Sequence, residues 1–113
     1  MFLSSVINKL EMSEDDSQST STAIAHAYAL RSKAFLDQSN WSSAIADARN
    51  AISLQDKASS QTVTTAYRCW VDAEEGQGSP PTSMISILQA WFKAQPHYRT
   101  KLKGEITEWA QRM

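Results

Sequence analysis

Apolar residues recur along most of this chain at steps of one, four, seven and eight, the spacing of one face of a helix. In the stretch 41–54 they are Ala44, Ile45, Ala48, Ala51 and Ile52. Val63, Ala66, Tyr67, Trp70 and Val71 repeat the pattern at steps of three, four, seven and eight. Met84, Ile85, Leu88, Trp91 and Phe92 return to the first spacing, and Ile87 and Ala90 widen that face. Ahead of these, 23–36 carries Ile24, Ala27, Tyr28, Ala34 and Phe35. Behind them, Tyr98, Leu102, Ile106, Trp109 and Met113 form a narrower stripe, opposite a face of Arg99, Lys101, Lys103, Glu105 and Glu108. No segment shows sustained strand-type alternation, so the chain is read as all-α. Polar connections are expected at 37–40 and 55–61. A longer loop is expected at 74–83, where Gly76, Gly78, Pro80 and Pro81 cluster. Residues 13–22 hold no apolar residue before Ala23 and read as an acidic, Ser-rich linker. Before it, Phe2, Leu3, Val6, Ile7 and Leu10 predict a short apolar helix over 1–12.

The helical segments form two units. Ala27-Tyr28 and Ala66-Tyr67 stand 39 residues apart, as do Ala34 and Ala73. Ile45 and Ile85, Ala48 and Leu88, and Ala51 and Trp91 stand 40 apart. Each unit is helix, turn, helix, and the second is expected to be lengthened at its internal Gly/Pro loop. The face opened by Trp41 is rich in alanine, and alanine on a buried face lets a second helix come close.

The first unit resembles a tetratricopeptide repeat, whose period is 34 residues. Laid on that pattern, 25–58 is one repeat without gaps. Tyr28 and Phe35 fall on aromatic positions, Ser32 on a small one, Trp41 on the aromatic that opens the second helix, and Ala44 and Ala51 on its two alanines. Asp56 stands where the family usually has proline. A degenerate repeat over 62–96 keeps Tyr67, Trp70-Val71 and Pro96, and 97–113 fits a capping helix. The resemblance implies antiparallel helical hairpins stacked as a short right-handed solenoid. It also implies a peptide-binding groove lined by the outward positions of the first helices: His26, Ala29, Lys33 and Asp37, then Ala66 or its neighbours, Arg68, Asp72 and Glu75. Lys33 and Arg68 are its cationic contacts for an acidic peptide. The wider arrangement R-S-x-A-F … W-x-x-A-I-x-D-A-x-x-A-I is similar to the repeats of chaperone cofactors. Their carboxylate clamp is mostly missing here, since Leu30 and Thr64 stand near its Asn and Lys positions and only Arg68 matches.

With 113 residues the chain is one domain by size. A net charge of −1 offers no global field for nucleic acid or anionic lipid. The single cysteine, Cys69, excludes an internal disulfide. No apolar run approaches the ~20 residues of a membrane span, so a cytoplasmic protein is the default expectation. His26 and His97 lack a Cys pair or carboxylates at ligand spacing, so neither metal nor cofactor is expected. Cys69 reads as a small buried hydrophobe, and most aromatic residues as core. No convergent nucleophile and base stand out, which argues against an enzyme.

The leading expectation is a non-catalytic protein–protein interaction scaffold holding a peptide or partner segment. The alternative is a co-chaperone that grips acidic chaperone tails through an incomplete clamp. A homodimer is a further expectation, since two repeats and a cap leave an apolar end for residues 1–12 of another copy to cover. Ser13, followed by Glu14, Asp15 and Asp16, has the pattern of an acidophilic-kinase acceptor.

Overall fold

The structure, a computed structural model, describes residues 18–112. The expected helix over 1–12 and Ser13 lie outside these residues. Five α-helices follow one another: α1 (Gln18–Asp37), α2 (Trp41–Ser53), α3 (Ser60–Gly76), α4 (Pro81–Ala94) and α5 (Arg99–Gln111). A single 3-10 turn, Pro96–Tyr98, joins the last two. There is no strand among the described residues. No helix among them is long and apolar enough to cross a membrane.

Two boundaries differ from expectation. Helix α1 begins at Gln18, so 18–22 is helical where a linker was expected. That stretch offers no apolar face of its own, but the Thr22 hydroxyl donates to the Lys57 carbonyl beyond α2. The expected long loop at 74–83 is also short. Its acidic start continues α3 to Gly76, and Pro81 is the first residue of α4. Proline suits that position because its missing N–H has no helical partner to lose.

Helices α1 and α3 end in the same way. At the end of α1, the Asn40 N–H reaches the Phe35 carbonyl and the Ser39 N–H reaches that of Leu36. At the end of α3, Ser79 N–H reaches Glu74 and Gly78 N–H reaches Glu75. Both are Schellman turns, and each needs a residue with positive φ. Ser39 adopts φ 57° and Gly78 φ 82°. The two stand 39 residues apart, in register with the alanine and tyrosine repeats.

Packing follows the alanines. Ala29 of α1, Ala51 of α2 and Ala66 of α3 meet in one buried cluster, none more than 1% exposed. With only methyl groups between them, the three backbones approach closely, and α3 packs against both α1 and α2. Within the first hairpin, the buried Ser32 hydroxyl donates to the Ala44 carbonyl at 2.6 Å. Arg31 forks onto the buried Asp47, Nε to Oδ2 at 2.6 Å and Nη2 to Oδ1 at 2.7 Å. Its guanidinium also lies over the Tyr28 and Phe35 rings. Removing one partner of such a buried pair typically costs ~3–5 kcal/mol, because the other charge is left uncompensated.

The larger core lies between α3, α4 and α5. Val63, Tyr67, Val71, Ile87, Leu88, Trp91 and Leu102 are buried there, with Tyr98, Ile106 and Trp109 packed against them. Tyr98, Leu102, Ile106 and Trp109 of the expected apolar stripe therefore face this core, and Met113 lies outside the described residues.

Trp41, the first residue of α2, rests on the end of α3. A Cβ added at Gly76 would come within 2.8 Å of three atoms of its ring. Gly104, inside α5, has nothing within 4 Å of an added Cβ. Two glycine-to-alanine substitutions should therefore move stability in opposite directions. Gly104→Ala should raise it by up to about 1 kcal/mol, the difference in helix propensity. Gly76→Ala should lower it and shift the tryptophan emission as Trp41 is displaced. Urea unfolding checks both, and a gain from Gly76→Ala would mean that Trp41 is not seated there.

Candidate functional site

Helices α1, α3 and α5 leave a groove between them of about 350 Å³. Helix α1 contributes Lys33 and Leu36, α3 contributes Thr64, Thr65, Arg68 and Asp72, and Lys101 reaches in from α5. Trp91 and Tyr98 are also part of its lining. The groove meets a smaller cleft of about 210 Å³ between α1 and α3, with Lys33 and Thr65 common to both. His26, Ala29 and Leu30 line that cleft, where Leu30 is an exposed large hydrophobic.

Of the seven expected groove residues, Lys33, Arg68 and Asp72 come together in the main groove, and His26 and Ala29 line the adjoining cleft. Ala29 differs from the outward role expected of it. It is 1% exposed and held in the alanine cluster, as is Ala66. Asp37 lies at the exposed end of α1 and lines neither cavity. Glu75 is also absent from both and instead lies 3.7 Å from Arg112.

Arg68 is not a free cation. Its two terminal nitrogens fork onto Glu105 of α5 at 2.8 and 2.9 Å. The guanidinium also sits 4.8 Å from the centre of the Trp91 ring. The hydrogen bond to Glu105 is the main reason its pKa is raised, and the same bond pulls the Glu105 carboxyl below its ordinary value. Asp72, half-buried beside this pair, is pushed the other way by burial, with Glu75 and Glu105 adding to the effect and Arg68 opposing it. Lys33 and Lys101 differ from Arg68. Among the described residues, neither has a carboxylate at ion-pair distance.

Behind the groove the aromatic rings form a column. Trp91 stacks on Tyr67 at 5.9 Å and 4°, Tyr67 stacks on Trp70 at 6.4 Å, and Arg49 of α2 caps Trp70. The column is held by Gln95, which is 5% exposed. Its Oε1 accepts from the Trp91 indole at 2.8 Å, and its Nε2 donates to the Ser60 carbonyl at 2.9 Å. One amide thereby ties the end of α4 to the start of α3.

Cys69 is buried at the edge of the groove. Burial pushes its thiol pKa up, against a smaller opposing effect from the Ser32 side chain. A thiol held protonated in this way is a poor nucleophile. Among the described residues, no three metal-capable side chains converge.

The chain matches no protein-family model, curated protein or solved structure.

Lys101 and Tyr98 are among the groove residues that sequence reasoning missed, with Leu36, Thr64, Thr65, Cys69 and Trp91. The sequence pattern puts Lys101 on the face opposite the apolar stripe of the last helix, and the signal available is its one-turn offset from Glu105. Glu105 reaches back to α3, so the residue one turn before it faces the same way.

Two outcomes follow. Gln95→Leu strands the buried Trp91 indole N–H, while the Ser60 carbonyl keeps the Thr64 hydroxyl, and should cost about 1–3 kcal/mol in urea unfolding. Wild-type stability would argue that water replaces the amide. The second concerns acid. The folded-state pKa of Glu105 is lowered, so its stabilising contribution is present above the ordinary glutamate value and is lost as pH falls through the folded value. The stability gap between wild type and Glu105→Gln should therefore be largest near neutral pH and shrink as the pH falls below the ordinary glutamate range. A gap that stayed constant with pH would contradict the ion pair.

Proposed function

We propose that the chain is a non-catalytic protein-interaction module of the tetratricopeptide-repeat kind, taking an acidic peptide segment in the groove between α1, α3 and α5. The observation that carries this reading is the pair Lys33 and Lys101. They come from different helices, line the same groove, and lack a carboxylate partner among the described residues. The same lining offers the Thr65 hydroxyl for polar contacts and Leu36 for apolar ones. A peptide with carboxylates spaced to meet both lysines, and an apolar residue between, is complementary to this arrangement.

The repeat reading is supported by two further features. The Schellman turns recur at the 39-residue spacing, and the first helix of each hairpin packs on that of the other. Stacked hairpins of this kind expose their first helices on one concave side, and the groove takes Lys33 and Leu36 from α1 and Thr64, Thr65, Arg68 and Asp72 from α3. The co-chaperone alternative is less well supported, because Arg68, the one clamp residue retained, is already neutralised by Glu105.

Fluorescence polarisation with labelled acidic peptide pools tests the proposal. Binding should weaken about tenfold or more in Lys33→Ala/Lys101→Ala and fall as salt is raised. Asp37→Ala should leave it unchanged. Equal binding by wild type and the double lysine variant would place the interaction elsewhere.

A further inference from the structure

A second cavity is larger than the groove. A cleft of about 670 Å³ opens between the α2–α3 connection, α3 and the end of α4. It is separate from the groove, with the stacked Trp91–Tyr67 pair between them: Trp91 lines the groove and Tyr67 lines this cleft. Val63 and the Tyr67 ring form its apolar wall, and the small side chains of Ala58, Ala90 and Ala94 leave the space open. Its volume is in the range of small-molecule sites.

Two features point to an occupant. Tyr67 is 3% exposed, yet its hydroxyl has no hydrogen-bond partner among the described residues. No side-chain polar atom there is fully enclosed without a partner, so the hydroxyl must keep contact with open space. The cleft is the cavity that Tyr67 lines. Burial raises its pKa, which leaves the phenol a donor at neutral pH. A buried tyrosine hydroxyl normally finds an acceptor. The second feature is Lys93 at the rim, a cation with no ion pair among the described residues. His97 stands with it, and Asp56 is the acidic group on the rim.

We propose that this cleft is a binding site for a small apolar monocarboxylic acid, its carboxylate accepting from the Tyr67 hydroxyl and facing Lys93, its hydrocarbon body against Val63, Ala90 and Ala94. The donor and the cation both call for an anionic acceptor, and the apolar wall calls for a hydrocarbon body. Asp56 repels a second negative charge, which excludes phosphates and diacids. The site is independent of the peptide groove and of the reading given to it.

The probe is 1-naphthylacetate, with 1-naphthylacetamide as its uncharged counterpart, titrated into the full chain and followed by amide NMR shifts. Saturable shifts are expected at Val63, Tyr67, Ala90, Lys93 and Ala94, with the amide about tenfold weaker. Tyr67→Phe should weaken the acid about tenfold, while the thermal midpoint of the ligand-free protein stays the same or rises, since the hydroxyl has no protein partner to lose. Ala94→Leu fills the space and should block binding. Lys33→Ala/Lys101→Ala should bind the acid normally, whatever happens to its peptide binding. The proposal is overturned by unsaturated shifts, by equal response to acid and amide, by unchanged affinity in Tyr67→Phe, or by shifts confined to the Lys33–Lys101 groove.

Discussion

The close approach of three helices at Ala29, Ala51 and Ala66 is the constraint on which the rest of the structure depends. Methyl groups at all three positions let α3 lie against α1 and α2 together. A leucine at any one would force the backbones apart, and overpacking of this kind costs ~1–3 kcal/mol. The placement of α3 then fixes everything downstream. Tyr67 and Trp70 stand on it, Trp91 stacks on Tyr67, and Gln95 ties the end of α4 back to its first turn. Both cavities are bounded by this helix.

Polar groups set the geometry that the apolar core alone would leave loose. Arg31–Asp47 fixes the first hairpin, Gln95 the second, and Arg68–Glu105 the last helix. Each spans two helices and uses a planar group whose two ends are both satisfied, a geometry stricter than hydrophobic contact. Arg68 therefore belongs more to the architecture than to the surface chemistry. Among the described residues, Lys33 and Lys101 on one side of the aromatic column and Lys93 on the other line the cavities without an ion pair.

Helix faces were legible in the sequence because a 3.6-residue period survives any detail of packing. The extent of the helices was less so. Residues 18–22 carry no apolar signal, and Thr22 there bonds Lys57, 35 residues away. The Gly/Pro stretch looked like a long loop by composition. Gly76 instead ends a helix under the Trp41 ring, and Pro81 starts the next. At the site, the repeat alignment found Lys33, Arg68 and Asp72. It could not show that Glu105 holds Arg68, since that pairing joins residues 37 apart on elements of different units. It also placed Ala29 outward, where neighbouring helices hold it inside.

The seat of Trp41 on Gly76 has a consequence for how this chain can change length. The ring belongs to the corner of the first hairpin, and the glycine to the corner of the second. A residue inserted between Ser39 and Trp41 would swing the indole off its seat and leave that edge of the molecule without its spacer. The opposite edge has no seated ring: Gln55, Asp56 and Lys57 run exposed between α2 and α3, tied to α1 through the Thr22 hydroxyl on the Lys57 carbonyl. Length variation should therefore accumulate there, at the mouth of the larger cleft, so that the cleft can be reshaped by insertion while the two hairpins keep their spacing.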